Sequence, residues 1–171
     1  MSLFKTTTPT GETRRWTLKE WVQGMPLGHP SHPMFVHFPV AFYIGSVALD
    51  LLSKIGDFPA APLAGTWAII GAWIGSLFAV TTGLVDWFGM ARGSTKKRVA
   101  TRHLVLQLTT FAIFVVDLIL RWPDRHAAET KPLVIVIGLI GVGVLLLGQY
   151  LGGKLVYQLG MRVSTVRESE P

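Results

Sequence analysis

The sequence predicts an all-α integral membrane protein, a four-helix up-down transmembrane bundle preceded by a short interfacial N-terminal helix. Three observations predict it. Four stretches, near 34–53, 65–89, 102–121 and 132–152, have about the length and apolar character of membrane-spanning helices. Only 15% of the residues are charged, against about 25% in soluble domains. The basic residues also alternate from side to side. Lys5, Arg14, Arg15, Lys19, Arg92, Lys96, Lys97, Arg98, Arg102, Lys154, Arg162 and Arg167 fall on one side of the spans, and only Lys54, Arg121, Arg125 and Lys131 on the other.

That asymmetry marks the richer side as cytoplasmic. It predicts a multi-pass protein of the inner (cytoplasmic) membrane with both termini in the cytoplasm. It also explains the net charge of +6 without a nucleic-acid partner. The bilayer is the expected partner, with anionic lipid at the basic face. The chain divides into an N-terminal cytoplasmic arm (1–30), a four-helix domain (31–163) and a polar tail (164–171). The arm has no continuous apolar core of the secretory type, so the first span is expected to act as an uncleaved insertion signal.

Taken in order, residues 13–25, TRRWTLKEWVQGM, alternate charge with tryptophan and aliphatic residues, which suits a short helix in the membrane interface. The first span carries Pro39 near its start, where a helix either begins or kinks. KIGDFPAAPLAG then closes a hairpin. The second and fourth spans contain Gly71-x-x-x-Gly75 and Gly148-x-x-x-Gly152. These permit close helix approach, a packing signal first and only a weak sign of a homo-oligomer. The third span follows the basic loop ARGSTKKR.

The chain has no cysteine, which excludes disulfides, thiolate metal sites and covalently attached haem within it. The residues that call for explanation are the ionisable ones within or beside the spans. Asp50 and Asp117 each have a base four residues on, Lys54 and Arg121, and local ion pairs are the simpler expectation. A proton or ion path from them to Asp86 would need a polar route, for which only Ser46, Ser76, Thr81, Thr82 and Gln107 are candidates. At the other end His37, Asp86, His103 and Tyr157 come from four different segments and reach one level. The first and third helices of an up-down bundle lie on a diagonal, so His37 and His103 are placed to face each other.

Two histidines facing across an apolar pocket suit a bis-histidine haem b. Arg98, Arg102 or Lys154 would pair with its propionates. Asp86 would orient one imidazole. Phe35, Phe38, Trp87 and Phe88 would line the macrocycle. A second reading gathers His29, His32 and His37, with Asp86, around zinc, nickel or non-haem iron. A third leaves these residues as hydrogen-bonded interfacial groups that bind nothing. There is no nucleophile–base arrangement and no phosphate loop, so an accessory or electron-transfer subunit fits better than a stand-alone enzyme.

HPMFVHFPVAF at 32–42, TGLVDW at 82–87, RH at 102–103 and GGKLVYQLGMRV at 152–163 resemble a bacterial domain-of-unknown-function family of small predicted membrane proteins. The resemblance implies a four-helix design over residues 29–163. Carried over by motif, it points to His32, His37, Asp86, His103 and Tyr157. Some members are fused to Rieske-type iron–sulfur domains or stand beside cytochrome-like proteins, which implies a redox role and, as partners, quinone or a Rieske-type or cytochrome protein. This chain departs from the pattern at Gln158-Leu159, where the family is expected to carry a histidine. The leading expectation is therefore a membrane electron-transfer subunit with one haem b between His37 and His103. The alternative is a cofactor-free transport or assembly module.

Overall fold

The computed structural model describes residues 2–7 and 13–163. The polar tail at 164–171 lies outside the described residues. Four long helices form an up-down bundle: α2 (Ser31–Ile55), α3 (Ala61–Phe88), α4 (Thr95–Arg121) and α5 (Pro132–Tyr157). All four are long and apolar enough to cross a membrane. Large side chains such as Ile74, Leu77, Phe78 and Leu147 stand more than half exposed on the outside, where lipid tails would meet them.

Each helix starts where its sequence allows. Pro62 and Pro132 occupy first turns, in which a missing N–H costs nothing. Ser94 caps α4 by accepting from the Lys97 N–H at 3.1 Å. The helices run past the apolar windows expected from hydropathy, and the difference matters most in α2. It begins at Ser31, whose N–H donates to Gln23 O at 3.3 Å and whose hydroxyl donates to Val22 O. Pro39 is therefore well inside the helix rather than at its start. Gly75 makes room for it: a Cβ there would lie 2.9 Å from Pro39 Cδ. Both glycine motifs are thus spent on contacts within the bundle, since Gly148 likewise receives Gln107 of α4.

α2 packs chiefly on α3, and α4 on α5, giving two hairpins joined along a lighter seam. At mid-height the core is Tyr43, Val47, Ile69, Ala72, Phe114 and Leu145, with Tyr43 stacked on Phe114 at 4.2 Å.

The N-terminal arm corrects one expectation. The strands β1 (Ser2–Thr7) and β2 (Thr13–Thr17) pair antiparallel, so the first half of the segment read as an interfacial helix is a strand. Its second half holds the short helix α1 (Leu18–Val22), and a 3-10 turn at Met25–Leu27 follows. α1 opens with a capping box, in which the Glu20 N–H donates to Thr17 Oγ1 and the Thr17 N–H donates to Glu20 Oε2. The Thr17 N–H and the Thr17 hydroxyl, both donating to Glu20 Oε2, hold the Glu20 carboxyl below the usual carboxylate range.

Candidate functional site

A cavity of about 560 Å³ opens between the two hairpins, at the end where α2 and α4 begin and α3 and α5 finish. Its volume is that of a site for a sizeable organic ligand. Its walls are mostly apolar, including Val40, Phe111 and Leu145, and among the polar groups that line it are His32, His37, Asp86, His103, Gln107 and Arg162.

Two imidazoles meet there from the diagonal helices α2 and α4. They belong to His32 and His103, whose ring centroids lie 6.4 Å apart with planes at 87°. Each ring is fixed through the same atom. His32 Nδ1 lies 2.8 Å from Ala79 O of α3, and His103 Nδ1 lies 2.7 Å from Gly148 O of α5. A carbonyl only accepts, so Nδ1 is the protonated nitrogen in both rings. The Nε2 lone pair is left, with no hydrogen-bond partner among the described residues. Metal-ligating histidines are set up in this way, one nitrogen anchored and the other presented.

Two glycines make the seating possible. A Cβ on Gly83 would lie 2.8 Å from the His32 ring, and one on Gly152 would lie 3.2 Å from the His103 ring. Gly83 stands in TGLVDW and Gly152 in GGKLVY, so these motif glycines are the beds of the two imidazoles.

The expected pairing is corrected in one member. His37 lines the cavity, but it is an exposed residue and is not in ring contact with His103. It follows His32 by five positions and so lies roughly 140° round the helix. His29 is exposed and precedes α2. Among the described residues no group of three or more His, Asp or Glu side chains is gathered as a metal ion would need, and His29, His32 and His37 are not brought together.

Asp86 does not orient a histidine; backbone carbonyls do that. Its Oδ1 accepts from Gln23 Nε2 at 2.9 Å and from Arg162 Nη2 at 2.6 Å. It thereby ties the N-terminal arm and the segment after α5 to the end of α3. Arg102 is exposed and does not line the cavity, Arg98 is engaged with Gly93 O and Thr95 Oγ1, and Arg162 is the cation at the cavity. Tyr157 stands at the rim, 89% exposed. Of the four aromatics expected around a macrocycle, Trp87 lines the cavity, and its Nε1 donates to Thr101 Oγ1 at 2.9 Å.

Sequence reading missed two participants, and it named His32 only as a metal-ligand candidate and by the family motif, not as the ring opposite His103. The proline one residue later is itself a first-turn signal that puts His32 on the helix. Arg162 and Gln23 carried no local signal, because they reach Asp86 only through the fold.

Residues 28–165 match the family described as "Predicted membrane protein (DUF2231)". The chain belongs to the DUF2231 family. The matched region begins just ahead of α2 and runs past Arg162, so it holds the whole cavity. Comparisons with curated proteins and with solved structures find no match.

Proposed function

We propose that this DUF2231 protein is a membrane electron-transfer module that holds one haem b between His32 and His103. The observation that carries the reading is the pair of rings across the cavity, both anchored at Nδ1 and both presenting Nε2. With ring centres 6.4 Å apart, the two imidazoles would be close enough to hold one iron between them. The apolar walls would keep water from the iron and tune its potential, and His32 and His103 as its ligands would suit one-electron transfer. Arg162 is the cation available to a propionate. By the charge asymmetry of its loops, the cavity end faces the cytoplasm. Expected electron partners are a quinone or a membrane protein of Rieske or cytochrome type.

The test is an absorption spectrum of the detergent-purified protein, made with ample haem, oxidised and then reduced with dithionite. A Soret band with sharp α and β bands on reduction is expected. His32→Ala and His103→Ala should each abolish it, and His37→Ala should leave it in place. A colourless wild-type protein would sink the haem reading and leave a cofactor-free transport or assembly module. A Soret band unchanged in both alanine variants would sink the ligand assignment.

A further inference from the structure

At the opposite end of the bundle a second polar cluster lies fully inside the protein. Asp50 of α2 and Asp117 of α4 are 0% exposed, and Arg121 of α4 is 4% exposed. Arg121 donates from Nε to Asp117 Oδ1 at 2.5 Å, and from Nη1 and Nη2 to the two Asp50 oxygens at 3.1 and 2.6 Å. Thr130 Oγ1 donates to Asp50 Oδ1 at 2.8 Å. Asp50 is therefore satisfied at both oxygens as an anion. Asp117 is not: its Oδ2 is buried and has no hydrogen-bond partner. It faces α5 at Gly138, where a Cβ would lie 3.3 Å away.

The charges do not balance if both carboxyls are ionised: two anions share one guanidinium. The other charged groups nearby are engaged elsewhere, Lys54 with Glu129 and Lys131 with Asp124, each at 2.6 Å. Arg125 donates to Trp122 O at 2.6 Å and stacks on the Trp122 ring. An ionised carboxylate oxygen with no partner in a membrane interior costs several kcal/mol, and a neutral acid costs far less.

We propose that Asp117 carries a proton on Oδ2, which makes the Asp50–Arg121–Asp117 cluster a neutral proton-binding site within the membrane span. A space of about 10 Å³, roughly one water, lies beside Arg121, Thr66 and Thr130 and also beside Asp124, Arg125 and Lys131, so it reaches the guanidinium of the cluster and not Asp117 itself.

Infrared spectra of the purified wild-type chain at neutral pH, in H2O and in D2O, test the proposal. A protonated-carboxyl stretch that shifts in D2O and disappears in Asp117→Asn is expected. Asparagine mimics a neutral acid, so Asp117→Asn should melt within about 3 °C of wild type, and Asp50→Asn should melt lower by about 6 °C or more. Three results would overturn the proposal: no such band in the wild type, a band that survives in Asp117→Asn, or Asp50→Asn melting higher than Asp117→Asn.

Discussion

The two ends of the bundle solve the problem of polar groups among lipid-facing helices in opposite ways. At one end Arg121 grips two carboxyl groups, Thr130 closes over Asp50, and the remaining space has room for about one water. At the other end His32 and His103 are tied by one nitrogen each and left open at the second, over a cavity of about 560 Å³. Between them lies an apolar layer built on Tyr43, Ile69, Phe114 and Leu145. A closed cluster is what helix packing needs. An open pair of oriented imidazoles leaves hydrogen-bonding capacity facing a large cavity, the place the proposed haem would take.

The contrast can be broken from either side. Arg121→Met is expected to have the largest effect on stability, because it leaves two buried carboxyls without their cation; about 3–5 kcal/mol is the expected loss, read from unfolding in detergent. Gly83→Leu comes next. Its side chain would occupy the bed of the His32 ring, costing about 1–3 kcal/mol by overpacking and, on the haem reading, the Soret band too. His32→Ala should separate the two ends most cleanly: it abolishes the colour, yet the haem-free variant unfolds within about 1.5 kcal/mol of the haem-free wild type, since one hydrogen bond is lost. The smallest effect belongs to Arg162→Ala. Asp86 keeps Gln23, and a partly exposed pair is worth about 0–1 kcal/mol. If Arg162→Ala proved as damaging as Arg121→Met, the open end would be structural after all.

The four spans and their order were legible because hydropathy and alternating loop charge are local signals. So was the level at which His103, Asp86 and Tyr157 gather, since helix length fixes depth. The partner of His103 was not legible. Hydropathy marks where apolar residues start, whereas α2 starts three residues earlier, at a serine set by contacts with Val22 and Gln23. Asp50 shows a similar limit. Lys54 stands four residues away and looks like its mate, but it turns to Glu129, while Asp50 takes the fork of Arg121 from another helix. Asp117 does pair with Arg121 as its spacing suggests. In the arm, Thr17 and Glu20 already formed the T-x-x-E signature that starts a helix at Leu18 and leaves TRRWT free to be a strand.

One feature of the histidines bears on how the protein is made. His32 leans on α3, its own hairpin partner, and His103 leans on α5, its own. Each hairpin therefore carries the carbonyl that anchors its own imidazole, so the hydrogen bond that orients each ring lies within one half of the chain. The rings come opposite each other only when the halves close like the covers of a book, and a molecule gripped by both would act as the clasp. Maturation would then run in a fixed order: insertion of one hairpin, insertion of the next, and capture last.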